Sequence, residues 1–325
     1  MKKYNILITS VGRRTKLIEY FKNDFEGEGN IVATDCSNLA PALYLADKSY
    51  LVPRIDDPEY IDSLLDICKK EDIKGVVSLI DPELSLIAKN KDKFLDIGVT
   101  PFVSDYETCE LWFDKYDSFK FLEDNGFKCA KSYLDFKEFE NDLGSGKIDL
   151  PVFIKPNRGS ASLDINMART IEEARFIFDS SPDMIIQEFI DGQELGIDAY
   201  IDMVSKEPVS IYIKEKVKMR SGETDKARSI KPEKLFLEIE ELFKKTDLVG
   251  PIDMDIFRVG EEYYMSEINP RFGGGYLLAY EGGEKFPKMI LENLKEASNK
   301  RNIGGYDEGL YMMKHDDLLI RKDLI

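Results

Sequence analysis

Three carboxylates and an amide recur at alternate positions in two neighbouring segments: Asp253 and Asp255, then Glu267 and Asn269. Strand side chains alternate faces, so each pair falls on one side of its strand. A hairpin with the loop Gly260-Glu261-Glu262 sets Asp255 opposite Glu267 and Asp253 opposite Asn269. Ile252, Met254, Ile256 and Ile268 then fill the other face as core. Like charges directly opposite each other destabilise a sheet. Such a face either lies in solvent or holds a cation, and its hard oxygen donors suit Mg²⁺, which takes one or two carboxylates plus substrate phosphates. Arg271 projects on the same side, two residues beyond Asn269. Carboxylates, amide and guanidinium together read as a metal–phosphate site. Gly273, Gly274 and Gly275 follow, and glycine lets backbone N–H groups come close to an anion.

Other segments carry complementary chemistry. Lys155 ends an apolar run and precedes Asn157-Arg158-Gly159-Ser160-Ala161-Ser162, a small, polar loop suited to phosphates. The chain has no G-x-x-x-x-G-K-[ST], which excludes a P-loop. Gln187-Glu188-Phe189-Ile190 runs into Asp191-Gly192, where strand-edge backbone groups can read an adenine edge and Glu194 can accept from ribose hydroxyls. Residues 213–229 concentrate Lys214, Lys216, Lys218, Arg220, Lys226 and Arg228 around Glu223, either an anion site or a solvated basic loop. Near the N-terminus, Ser10-Val11-Gly12-Arg13-Arg14 and Asp81-Pro82-Glu83 each follow an apolar run, where ligands of open α/β sheets bind. The two acids there hold a substrate amine, or simply favour a helix N-terminus.

These residues need a scaffold. Apolar runs Tyr4–Thr9, Ile31–Asp35, Ser49–Pro53, Gly75–Ile80 and Thr100–Val103 alternate with helical patterns at Arg14–Phe25, Ala40–Ala46, Glu59–Glu71 and Pro82–Leu95. That alternation predicts an α/β domain with a parallel sheet over residues 1–105. Beyond it the pattern is α+β. A helix over Thr108–Asn125 breaks near Lys115. Strands follow at Pro151–Lys155, Met184–Phe189, Leu195–Met203, Pro208–Glu215, Asp253–Val259, Tyr263–Asn269 and Tyr311–Lys314. Helices fit Ile171–Ser180, Lys234–Thr246 and Phe286–Ala297. Asn141–Asp149 and Ser221–Ile230 read as polar loops.

Composition narrows the chemistry. The 325 residues are 43% hydrophobic and 33% charged, enough to bury a core without disulfide or metal staples. Lys and Arg total 45 against 62 Asp and Glu, a net charge of −17. That argues against nucleic-acid and anionic-membrane partners. The apolar run after Met1 reads as a strand, not a leader. Cys36, Cys68, Cys109 and Cys129 have no metal-ligand spacing and read as reduced thiols of a cytoplasmic protein. His315 is the single histidine, so Lys, Arg, Asp, Glu, Asn and backbone amides must carry any catalysis.

In order along the chain, FDKYDSFKFLEDNGF (113–127), VFIKPNRGSAS (152–162), IIQEFIDGQELGID (185–198) and DMDIFRVGEEYYMSEINPRFGGG (253–275) resemble the ATP-grasp superfamily. The chain looks closest to single-module relatives of the carbamoyl-phosphate synthetase large subunit. The resemblance implies a pre-ATP-grasp domain over 1–105, an ATP-grasp domain over 106–300 with a mobile lid at about 115–190, and a tail over 301–325 packed on the catalytic domain. It implies ATP with Mg²⁺, or Mn²⁺ in its place, and an ADP-forming ligation of a carboxylate to an amine through an acyl phosphate. Residue by residue, it makes Lys115 and Lys155 phosphate contacts and Arg158, Ser160 and Ser162 a flap. It makes Gln187, Glu188, Phe189 and Ile190 the adenine hinge, and Glu194 the ribose acid. Asp255, Glu267 and Asn269 match metal ligands, and Arg271 matches the arginine at the transferring phosphoryl group. The family commonly has Gln or Glu where this chain has Asp255. Arg220 and Lys226 are placed on the substrate side as catalytic candidates, and Arg13, Asp81, Glu83, Gly273 and Gly274 as substrate contacts. Small-molecule substrates and a homodimer complete the expectation. A carbamoyl-phosphate-synthetase-like activity and a non-catalytic ATP-binding module are the alternatives.

Overall fold

The run NILIT is buried at every position, which a strand allows only when both sheet faces are covered. It forms β1 (Asn5–Thr9) of a parallel sheet completed by β2 (Ile31–Asp35), β3 (Lys48–Leu51), β4 (Ile73–Ser78) and β5 (Thr100–Pro101), in the order β3-β2-β1-β4-β5. The computed structural model describes residues 3–159, 165–220 and 222–325. Ile6 and Ile8 pack with Leu17 and Phe21 of the helix Thr15–Asp24, while Leu7 and Val76 pack with Leu64 and Ile67 of the helix Tyr60–Lys70. Because β1 and β4 are parallel neighbours, their carboxyl ends bring Ser10–Arg14 and Asp81–Glu83 to one edge. The expected helix over Pro82–Leu95 is two helices, Asp81–Lys89 and Lys91–Leu95, and Ala40–Ala46 tightens to a 3-10 turn at Pro41–Leu45.

A second, antiparallel sheet follows: β6 (Ser132–Tyr133), β7 (Val152–Pro156), β8 (Asn166–Ala168) and β9 (Met184–Glu188), in the order β6-β9-β7-β8. Val152, Ile154 and Ile186 face Phe139 and Ala174 of the covering helices Phe136–Gly144 and Ile171–Phe178. The first of these helices runs into the stretch expected to be loop at Asn141–Asp149. Alternation leaves Phe153 and Lys155 on the opposite face of the sheet, paired in register with Gln187 and Ile185.

The largest sheet has six strands: β10 (Gln193–Ile201), β11 (Pro208–Arg220), β12 (Glu223–Ile230), β13 (Gly250–Val259), β14 (Glu262–Asn269) and β15 (Tyr311–Met313). They run antiparallel in the order β14-β13-β10-β11-β12-β15. One face is apolar and packs on Leu235, Ile239 and Leu242 of the helix Glu233–Phe243. Another apolar cluster joins Ile6 and Phe21 to Tyr200, Tyr212, Phe272 and Phe286, so the parallel sheet and the large sheet share a core. No described helix is long and apolar enough to cross a membrane.

Two sequence expectations are corrected here. The stretch Ser221–Ile230, expected to be a polar loop, contains the strand β12. Its buried positions are largely polar, and bonds replace the missing apolar pattern: the Ser229 hydroxyl donates to Asp307 O (2.8 Å) and accepts from Leu310 N–H (2.8 Å). The hairpin loop is Gly260-Glu261, with Val259 opposite Glu262. A bulge at Ser266 absorbs the difference, so the pairs Asp255–Glu267 and Asp253–Asn269 stand in the expected register.

Candidate active site

The second face of the large sheet is charged where the first is apolar. β10 contributes Glu194 and Asp198, β11 Lys214 and Lys216, β13 Asp253 and Asp255, β14 Glu267 and Asn269. Alternation sets each pair on one side of its strand, and the register of the four strands gathers the pairs on one face. Lys214 pairs with Asp198, both fully buried. The Lys216 ammonium lies 2.7 Å from Glu194 and 2.6 Å from Asp255, although Asp255 is two strands away. Gly196 makes that reach possible. It sits opposite both Lys214 and Asp255, and a Cβ there would stand 2.9 Å from Lys214 Cε and 3.2 Å from Lys216 Cε. Burial and its acidic neighbours push the Asp255 carboxyl up to about 6 against the pull of Lys216.

Arg271 ties this face to the first domain. Its Nε is 2.9 Å from Asp81, its Nη2 donates to Asp81 (3.1 Å), and its Nη1 donates to Asp253 (2.7 Å) and to Phe272 O (3.2 Å). The flanking acids raise its pKa above the ordinary arginine value despite desolvation. Nη1 donates twice and Nη2 once, and Asp81 Oδ1, beside Nε, accepts no hydrogen bond among the described residues.

Two lysines face the sheet from other elements. Lys155 comes from β7. Lys115 opens the helix Lys115–Asp124, whose N-cap Asp114 accepts from Tyr116 N–H (3.1 Å) and Asp117 N–H (3.0 Å) and so breaks the longer helical pattern near Lys115. The Lys115 ammonium donates to Gly159 O (2.8 Å). Burial holds both lysines below the ordinary lysine pKa, and Glu267 is the first-ranked charge opposing that shift. Glu267 itself has no hydrogen bond or ion pair from its side chain among the described residues, and Asn269 is buried beside it. Gln187 is buried and donates to Ser132 Oγ (3.1 Å), Glu188 exchanges bonds with the Lys131 backbone, and Phe189 packs on Phe153. Ile190 lies in the link between β9 and β10.

Several candidates stand elsewhere. Arg158 turns from the cluster to Glu110 (2.8 Å) and Asp114 (3.1 Å). Arg220 is half exposed on Asp316 and Asp225. Lys226 is exposed and shares a face of β12 with Arg228, whose partner Glu215 alternates with Lys214 and Lys216. Glu83 is fully enclosed, accepting from Ser10 (2.8 Å), Ser78 (2.7 Å) and Tyr60, so no substrate amine reaches it. Asp81 is occupied by Arg271. Arg13 is exposed, 3.1 Å from Glu223. Ser160 and Ser162 lie outside the described residues.

The glycine run works by shape. A Cβ on Gly273 would stand 2.1 Å from Asp253 Oδ1, and one on Gly275 2.6 Å from Lys214 Cε. Gly273→Ala therefore displaces Asp253 from Arg271 and should cost about 1–3 kcal/mol, read as a lower urea midpoint at unchanged m-value. The sequence alone singles out Arg14 only as part of Ser10–Arg14, does not single out Asp198, and leaves Lys214 and Lys216 between an anion site and a solvated basic loop. The usable signal was the matched i, i+2 spacing of Lys214-Lys216 and Asp253-Asp255. Cys36 is exposed, Cys129 half-buried, and Cys68 and Cys109 are buried, their thiols pushed up to about 12 by desolvation.

The comparisons agree with this arrangement. A PylC-like N-terminal domain matches residues 6–102, and an ATP-grasp domain matches residues 113–275. Carbamoyl-phosphate synthase of Methanobrevibacter smithii is 26% identical over 171 residues, covering 51% of this chain and 44% of that protein. D-alanine--D-alanine ligase of Christiangramia forsetii is 31% identical over 107 residues, 31% of this chain and 33% of its own length. The chain thus spans less than half the length of these curated relatives. For fold, the biotin carboxylase domain of Hydrogenobacter thermophilus 2-oxoglutarate carboxylase, solved as a dimer with MgADP, ADP and bicarbonate, superposes with a TM-score of 0.76 at 13% identity, covering 96% of this chain and 74% of that one. With half of its length matched by the ATP-grasp domain, and with that domain's strands carrying the charged cluster, the chain belongs to the ATP-grasp family.

Proposed function

We propose that the chain is an ATP-dependent, ADP-forming ligase that activates a carboxylate as an acyl phosphate and joins it to an amine. The observation that carries this reading is a pair of half-buried lysines, Lys115 and Lys155, that two elements bring within the electrostatic reach of Glu267, an acid without an ion pair among the described residues. Buried ammonium groups short of counter-charge are suited to an anion. The Glu267 and Asn269 oxygens, adjacent on one strand face, fit Mg²⁺, which completes its shell from phosphates and water. No described trio of His, Cys, Asp or Glu forms a metal cage, in keeping with a cation that arrives with its nucleotide. Asp255, held by Lys216, is the weaker ligand candidate. Bound Mg²⁺ would supply charge neutralisation at the phosphates, and Mn²⁺ accepts the same oxygen donors.

The chemistry asks for positioning rather than for a strong base. A substrate carboxylate oxygen attacks the γ-phosphorus, the bond to the β-phosphate oxygen breaks, and ADP leaves. The amine nitrogen then attacks the acyl carbon, phosphate departs with the former C–O bond, and the nitrogen loses a proton. In this reading Lys115 and Lys155 bind phosphate oxygens, and the Arg271 guanidinium meets the transferring group. The segment Gln187–Ile190 receives the base, and Glu194 the ribose. The D-alanine ligase relative and the MgADP-bound neighbour support it. The reading takes small-molecule substrates, a cytoplasmic location and a homodimer.

Lys155→Ala tests the reading. Losing one charge-assisted phosphate contact is worth about 1.5–3 kcal/mol, so calorimetry should show a non-hydrolysable ATP analogue binding about 10–100-fold more weakly. Unchanged affinity would remove Lys155 from the phosphate site.

A further inference from the structure

At the far edge of the charged face, the tail and the first domain meet. Lys314 follows β15, its N–H donating to Asp225 O (2.9 Å) and its ammonium lying 3.3 Å from Glu223. Arg13 reaches the same Glu223 at 3.1 Å. Arg14 has no carboxylate within 4.0 Å among the described residues, and its Nη1 donates only to Phe272 O (3.3 Å). The next cation inward, Arg271, is already taken by Asp81 and Asp253. Glu223 thus faces Arg13 and Lys314 directly, no carboxylate touches Arg14 among the described residues, and Glu223, Asp253 and Asp81 act on Arg14 from farther off. Burial holds Arg14 and Lys314 below their ordinary pKa values, and each is further lowered by a neighbouring cation. The helix that starts beside Arg14 has no acidic residue in its first turn and no side-chain cap. Gly274 packs against Glu223, where a Cβ would stand 3.2 Å from Glu223 Cδ.

We propose that Arg14 and Lys314 form a subsite for an anionic substituent, carboxylate or phosphate, carried by one of the two joined substrates in addition to its reacting group. This rests on the ligase reading. It narrows the substrates to compounds with a second negative charge close to the reacting centre, since Arg14 and Arg271 both donate to Phe272 O. Arg14 lies within the matched N-terminal domain and Lys314 beyond both matched domains, so the subsite joins the first domain to the tail.

The test uses the full chain with Mg²⁺ and a non-hydrolysable ATP analogue. Its probes are dicarboxylates from malonate to adipate, glutamate and aspartate, each against its monoamide, with inorganic phosphate as a separate arm. At least one dicarboxylate should bind about 10-fold more tightly than its monoamide, as expected for one charge-assisted contact. Lys314→Met and Arg14→Gln should erase that preference, with the nucleotide-induced thermal shift of Lys314→Met retained. A preference for phosphate alone would assign the substituent as phosphate. Equal binding of acids and amides, no binding of any probe, or an unchanged preference in both variants overturns the subsite. A lower Tm of Lys314→Met with selectivity intact makes the cluster a structural latch, which also overturns it. A variant-sensitive dicarboxylate preference without any nucleotide shift keeps the subsite and sinks the ligase reading.

Discussion

Glu267→Gln lowers ADP formation by about 10³-fold, the scale of losing one preorganised electrostatic partner of the transition state, while the fold is spared. Glu267 is half-buried on β14 without an ion pair among the described residues. Its removal breaks no direct bridge; the relief of repulsion with Asp255 across the hairpin is offset by the loss of the chief charge facing Lys115 and Lys155. The stability change should stay within about 0.5 kcal/mol, as for substitutions that break no named contact. The amide keeps the shape and one oxygen but removes the charge. Mg²⁺ dependence of nucleotide binding should fall with turnover. Wild-type ADP release from a folded Glu267→Gln chain would overturn the metal assignment.

Arg271→Gln produces the largest combined loss. The guanidinium is buried between Asp81 of the first domain and Asp253 of the large sheet. Breaking a buried pair on one side leaves uncompensated charge and costs about 3–5 kcal/mol. Here two carboxylates are stranded, and the first domain loses its ionic tie to the catalytic sheet. A glutamine cannot span both acids, and lysine cannot reproduce the fork. The thermal midpoint should fall by several degrees and ADP formation should disappear. Adding Asp81→Asn to Arg271→Gln should recover part of the stability, because one stranded charge is gone, and none of the activity. If the double variant is no more stable than the single, the ion pair contributes nothing and the glutamine acts through packing alone.

Much of the site was readable as spacing. The pairs Asp253–Asn269 and Asp255–Glu267 follow from alternation plus an approximate turn, and the bulge at Ser266 shows why the turn length did not matter to them. Chain order does not predict a bulge, because it is set by how the strand twists against its neighbours. β12 escaped notice for a different reason: its buried residues include the polar Thr224, Asp225 and Ser229, and Ser229 is made fit for burial by its bonds to Asp307 and Leu310.

By itself, the sequence determined which residues share a face. A period of two sets Glu194 with Asp198, Lys214 with Lys216, Asp253 with Asp255 and Glu267 with Asn269 on one side of each strand, and the strand register brings the four pairs to one face. Only the tertiary structure decided the partners. Lys216 reaches Asp255 because strand order places β10 between them with Gly196 at the crossing. Arg271 meets Asp81 because two domains dock, and Glu83 is withdrawn from substrate because Tyr60, Ser78 and Ser10 close over it. Side-chain pairing depends on distances across chain-remote elements, and those are set by packing rather than by local order.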